Sequence, residues 1–118
     1  MHSYSFIEHM MFPRTNLNQQ KLKEELIGKT VLITGASSGI GEQLAYMLAH
    51  IKVHLILVAR REDKLLSMKR KIESKNATVS VVPADLRIKE DTEHVIKFLN
   101  LLPDGLDVFI SNAGHSIR

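Results

Sequence analysis

Eight consecutive residues, Thr34-Gly35-Ala36-Ser37-Ser38-Gly39-Ile40-Gly41, combine three glycines with two serines and a threonine. Such a mixture suits the holding of an anion against the backbone. Glycine at 35 permits a sharp turn where a Cβ would clash. Glycine at 39 lets the backbone come close to a ligand, and glycine at 41 lets a following helix pack tightly on the preceding strand. The first N–H groups of that helix lack intrahelical partners, and its dipole is positive at that end. Both features favour a phosphate. Ser37 and Ser38 add hydroxyl donors, and Ile40 completes the candidate loop. A purely structural turn needs one glycine. A Walker loop is excluded because no Gly-Lys-Ser/Thr follows.

The flanking segments must place this turn. "KTVLIT" (residues 29–34) is a short apolar, β-branched run suited to a buried parallel strand. After the turn, Ile40, Leu44, Leu48 and Ile51 recur at helical spacing, which predicts a helix to about residue 50. "VHLILVA" (53–59) reads as a second strand, and 61–75 as a helix with Leu65, Met68 and Ile72 on one stripe. "ATVSVVPAD" (77–85) reads as a third strand. A helix over about 88–102 turns Val95, Phe98, Leu99 and Leu102 inward, until Pro103-Asp104-Gly105 closes it. "LDVFIS" (106–111) is a fourth strand. Upstream, residues 1–16 read as mostly irregular; a short helix follows from Asn16, with Leu22 and Leu26 four apart, and Gly28 stops it.

Strand–helix alternation with short connections requires right-handed crossovers and a parallel sheet. The expected fold is therefore α/β: a Rossmann-like, doubly wound parallel sheet of four strands in the order 3-2-1-4, with helices on both faces, truncated after the fourth strand. The domain expectation is an N-terminal extension (1–26) and a nucleotide-binding Rossmann half-domain (27–118).

The end of the second strand bears on which nucleotide is bound. An acid about 20 residues beyond the glycines would take a ribose 2′-hydroxyl, whereas an arginine accommodates a 2′-phosphate. Here Ala59 stands where the acid is expected, and Arg60 and Arg61 follow. Guanidinium groups match phosphate in a bidentate geometry. The residues thus favour NADP(H) over NAD. Glu62 and Asp63 read as first-turn acids that complement a helix dipole. The missing acid also speaks against a methyltransferase, another class with a Gly-rich first turn.

Taken together these residues resemble the short-chain dehydrogenase/reductase family. "TGASSGIG" (34–41) matches its cofactor motif, and "AD" followed by Leu86 is similar to its adenine-contacting segment. "SNAG" (111–114) resembles its Asn-Asn-Ala-Gly motif, with Ser111 in place of the first Asn. The resemblance covers about residues 27–118. It implies that Asp85 and Leu86 line an adenine pocket, that Asn112 helps hold the central sheet, and that Ala113 and Gly114 lie against the cofactor ribose. Without the resemblance, the lesser alternatives are that Asp85 is a helix cap and Asn112 a polar turn residue.

The family resemblance also implies hydride transfer between NADPH and a carbonyl or alcohol, with a Tyr-x-x-x-Lys pair to handle the proton. A lysine near a tyrosine on one helix face lowers the phenol's pKa from ~10. The two tyrosines here, Tyr4 and Tyr46, are followed four residues later by Glu8 and His50. No catalytic residue is assigned. The chain reads as the N-terminal half of a longer reductase, inactive by itself. The alternative is a non-catalytic dinucleotide-binding module, such as a redox sensor or assembly partner. In an N-terminal half the fourth strand would be an exposed edge, so self-association through 106–111, or cover from the N-terminal 25 residues, is expected. His115 and Arg118 are candidates for the approach to a substrate pocket.

Composition narrows the other classes. The 118 residues carry a net charge of +3, and Lys69-Arg70-Lys71 has no aromatic neighbours to stack on bases, so nucleic acid is not an expected partner. No cysteine is present, which excludes thiolate catalysis and thiolate metal sites and fits a reducing compartment. His50 and His54 are not expected to share a face, so no metal site is assigned. No apolar run reaches the ~20 residues of a membrane helix, and the N-terminus does not read as a signal peptide. The expected location is cytoplasmic.

Overall fold

The structure, a computed structural model, describes residues 16–112. Its elements run α1 (Asn16–Leu26), β1 (Thr30–Thr34), α2 (Gly39–Leu48), β2 (His54–Ala59), α3 (Glu62–Glu73), β3 (Thr78–Pro83), α4 (Lys89–Asn100) and β4 (Val108–Ser111). All three strand pairings are parallel, and the sheet order is β3-β2-β1-β4. The expected α/β architecture and strand order are both present. The chain reverses direction of travel across the sheet between β1 and β4, where β1 pairs with β2 on one side and β4 on the other.

Strand alternation divides the core between the two faces. Val31, Ile33, Leu55, Leu57 and Ile110 point to the face covered by α1, α2 and α3, where they meet Leu26, Leu44, Leu48, Leu65, Met68 and Ile72. Leu32, Ile56, Val58 and Val82 point to the face covered by α4 through Val95, with Phe98 and Leu99 half-buried. β1 and β2 are buried on both faces, which is why their sequences read as continuous apolar runs. Leu22 and Leu26 fasten α1 to the larger cluster.

Several boundaries shift by one or two residues, for physical reasons. α3 starts at Glu62 because Arg61 has extended backbone (φ −93°, ψ 105°) and serves as the N-cap. β4 starts at Val108, not 106. Asp107 instead closes the corner: its N–H donates to the Thr30 carbonyl, and its carboxylate accepts the Thr30 N–H at 2.9 Å. Ile40 leaves the apolar stripe of α2 and lies exposed, while Leu44, Leu48 and Ile51 are buried as expected.

The two outer strands end the sheet differently. Thr78 donates across the sheet to Val53, so Val79 turns its N–H and C=O outward. Glu73 accepts that N–H at 2.8 Å and Lys69 donates to that carbonyl at 2.6 Å, so side chains of α3 satisfy the outward groups of Val79. On the inner side, the His54 ring bridges Thr78 Oγ1 (2.7 Å) and Ser80 Oγ (2.9 Å). Burial, then the Lys69 ammonium, lowers the His54 pKa below 6.5, with Glu73 opposing. The ring is therefore neutral at neutral pH. β4 instead leaves Phe109 half exposed on the α4 face.

Candidate functional site

The candidate residues gather at the carboxyl ends of the strands. β1 ends at the buried Thr34, and the chain turns through Gly35 at φ +64°. Ala36 N–H then donates to the Val58 carbonyl at 3.1 Å, fastening the turn to the end of β2. Gly39 opens α2 at φ +55°, and a Cβ placed on it would meet nothing within 4 Å. Glycine is required there by conformation, costing a side chain ~1–2 kcal/mol, and the space outside it is open. Position 41 is the opposite case: a Cβ would lie 2.5 Å from the Gly35 carbonyl oxygen and 2.8 Å from the Asn112 side-chain nitrogen. α2 can begin this close to β1 only without a side chain at 41.

Ser37 is half-buried; Ser38, Gly39 and Ile40 are exposed. Ser38 is the N-cap of α2 and makes no side-chain capping bond. The leading N–H groups of the helix therefore remain for a ligand or water. Glu42 sits in the same first turn, and Lys64 of α3 pairs with it at 3.1 Å, offsetting its negative charge.

Asn112 locks the turn from the β4 side. Its N–H donates to the Thr34 carbonyl (3.1 Å) and reaches Thr34 Oγ1 at 3.3 Å. Its side-chain amide donates to the carbonyls of Gly35 (3.1 Å) and Ser38 (3.3 Å). The carbonyls at the two ends of the Gly35–Ser38 segment are thus held by one amide. Ala113, Gly114, His115 and Arg118 lie outside the described residues.

Arginines and carboxylates share the rim formed by β2 and β3. Ala84 N–H donates to the Ala59 carbonyl at 2.8 Å, drawing the two strand ends together. Arg60 is exposed at the end of β2. Arg61 pairs with Asp63 at 3.0 Å, both exposed. The Asp85 carboxylate takes the Arg87 guanidinium at two points (3.0 and 2.9 Å) and also the Arg87 N–H at 3.0 Å. Asp91 accepts the Asp85 N–H at 2.8 Å, and Leu86 packs half-buried against the α4-side cluster.

The Arg87 side chain, then its N–H, lowers the Asp85 pKa from 3.8 to about 2; the charge of Arg60 adds to this. Among the described residues no three His, Asp or Glu converge as metal ligands. Sequence reasoning missed the Arg87 fork and the Lys64–Glu42 pair. Asp85 and Arg87 are two apart in a loop, where an Asx turn brings such residues together, so that signal was available; Lys64–Glu42 joins two helices and left none.

Two outcomes test this geometry. Gly41→Ala should destabilise the protein by about 1–3 kcal/mol in denaturant unfolding, the range for overpacking a close contact; an unchanged midpoint would mean α2 does not start this close to β1. For Asp85, a folded-state pKa below the ordinary value means that its contribution is present above 3.8 and is lost as pH falls through about 2. Carboxyl NMR titration should place Asp85 near 2, and Arg87→Gln should return it towards 3.8.

The chain matches the short chain dehydrogenase family over residues 29–118. It is 45% identical over 92 residues to an 11-beta-hydroxysteroid dehydrogenase of Pinus massoniana, covering 77% of this chain and 26% of that protein. Among solved structures, a short-chain dehydrogenase of Sphingobium yanoikuyae in complex with NADPH superposes with a TM-score of 0.67 and 36% identity, over 73% of this chain and 34% of the other. An NADH-dependent reductase complexed with NAD superposes with a TM-score of 0.69 and 27% identity, over 78% of this chain and 38% of the other. The chain spans 26% to 36% of the length of curated relatives such as these. With a matching sheet order, glycine turn and family match over three quarters of its length, the chain belongs to the short-chain dehydrogenase family.

Proposed function

We propose that this chain supplies the NADP(H)-binding half of an oxidoreductase that moves a hydride between the nicotinamide and a small carbonyl or alcohol substrate. The observation that carries this reading is the glycine turn: open space over Gly39, uncapped N–H groups at the start of α2, and a backbone fixed by Asn112. This cradle fits a pyrophosphate at a helix N-terminus, beside the point where strand order reverses. In this reading Gly35, Ser37, Ser38, Gly39, Ile40 and Gly41 face the pyrophosphate. Arg60 and Arg61 take the 2′-phosphate, Asp85 and Leu86 border the adenine, Asn112 holds the central sheet behind the cofactor, and Ala113 and Gly114 lie against the ribose. When bound, the dinucleotide supplies the hydride; the chain's own residues bind and orient it.

No acid occupies the end of β2, and Arg60 is exposed there without a bonded carboxylate among the described residues, which supports NADP over NAD. Neither Tyr4 nor Tyr46 carries a lysine four residues on, and Tyr46 packs against the core. The 118-residue chain by itself should therefore bind cofactor without turnover. Residues 27–118 form the binding unit in this reading and 1–26 its extension. Among the described residues no helix is long and apolar enough to cross a membrane.

Arg60→Ala should weaken NADPH binding by ~10-fold or more, as expected for losing charge-assisted bonds to a phosphate, and leave NADH binding nearly unchanged. Isothermal titration of both nucleotides checks this; an equal loss for both would remove the 2′-phosphate assignment. Half-exposed Phe109 on the outer strand β4 supports the proposed self-association. Sedimentation velocity should show dimers or larger species that weaken in Phe109→Ser, whereas a monodisperse monomer at every concentration would count against it.

A further inference from the structure

The arginines at the rim are not equally available. The Arg87 guanidinium is held along one edge by Asp85, whose carboxylate is largely covered and is also bonded by the Arg87 N–H. Arg60 makes no ion pair among the described residues, although its charge is felt by Asp85. Arg61 lies between these cases: its Nη2 is 3.0 Å from Asp63 Oδ2 and its Nε is 3.4 Å from Oδ1. The Nε–Nη edge in that pairing is an edge that a bidentate carboxylate or phosphate uses. The backbone fixes the partners, since Arg61 is the N-cap of α3 and Asp63 stands in its first turn.

Resting on the NADP reading above, we propose that Asp63 is a specificity-determining counter-ion that competes with the nucleotide 2′-phosphate for Arg61. In the unliganded chain Asp63 occupies the fork. A 2′-phosphate must displace it to gain the same edge, and the remaining carboxylate repels the incoming dianion. A nucleotide with a bare 2′-hydroxyl meets neither effect. Both side chains are more than 70% exposed, so the pair is weak, and displacement is readily reversible. Asp63 therefore tunes the preference for phosphate instead of abolishing it. As a first-turn acid, Asp63 also complements the dipole of α3.

The test uses adenosine 2′,5′-bisphosphate and adenosine 5′-monophosphate as probes, measured by calorimetry on the intact 118-residue chain at low and high salt. Asp63→Asn should tighten the bisphosphate about two- to five-fold at low salt, the scale of an exposed ion pair, with the monophosphate unchanged. High salt should shrink the gain, because screening weakens both the ion pair and the repulsion. Asp63→Ser is a second neutral variant that suits a first helical turn, and should behave alike. The proposal is overturned if both neutral variants leave the bisphosphate affinity unchanged while Arg61→Ala weakens it; the NADP reading then stands without it. If wild type, Arg60→Ala and Arg61→Ala all fail to distinguish the two probes, the NADP reading itself fails.

Discussion

A side chain at position 41 would drive its Cβ to 2.5 Å from the carbonyl oxygen of Gly35. That close approach of helix α2 to the end of strand β1 is the constraint on which the site depends. It sets the helix N-terminus beside the strand ends, where Ser38 is exposed and makes no side-chain capping bond and the space outside Gly39 is open. Three further bonds hold it from outside the turn: Ala36 N–H to Val58, and the Asn112 amide to Gly35 and Ser38. The turn is thereby tied to both neighbours of β1, which carry the rest of the rim. A backbone so fixed loses little freedom when a ligand arrives.

Around this cradle the charges are arranged in short, mostly exposed pairs. Lys64 with Glu42, Arg61 with Asp63, and Arg87 with Asp85 join residues two apart in sequence or on adjacent helices. Exposed pairs of this kind add little to stability. Their consequence here is geometric, since they set which cations face the mouth of the site and which are already engaged. The Asp85–Arg87 fork is the firmest because a backbone N–H joins it, and it pins the loop after β3 beside Arg60. The same economy appears at the far edge of the sheet, where Lys69 and Glu73 satisfy the outward backbone groups of Val79. At one edge of the sheet the chain's own side chains thus satisfy the outward groups of Val79, while β4 presents a half-exposed Phe109.

Much of the fold was legible because its signals are local. The runs at 30–34 and 54–59 are apolar on both faces, which only a covered parallel strand explains, and Leu65, Met68 and Ile72 mark the buried stripe of α3 without ambiguity. The glycine turn was legible because each glycine answers a separate steric demand. Ile40 was misplaced because helical spacing alone cannot tell an apolar residue in the first turn, beyond the reach of the core, from one deeper in the helix. The start of β4 was missed because Asp107 folds its carboxylate onto Thr30, 77 residues away, and no local pattern records such a partner. From the residues alone Asn112 reads as a turn residue; the family resemblance gave it a part in holding the sheet, and only the folded chain shows its amide on the Gly35 and Ser38 carbonyls. Long-range pairs of polar groups are the part of a site that periodicity does not carry.

The central claim is that the backbone between Gly35 and Gly41 receives the pyrophosphate, with the arginines after β2 receiving the 2′-phosphate. Amide chemical-shift mapping during an NADPH titration of the 118-residue chain tests it most directly. The account predicts the largest shifts at the amides of Gly35, Ser38, Gly39, Ile40 and Gly41, a second group at Arg60 and Arg61, and loss of that second group when NADH replaces NADPH. Saturable binding that leaves the Gly35–Gly41 amides unmoved would contradict it.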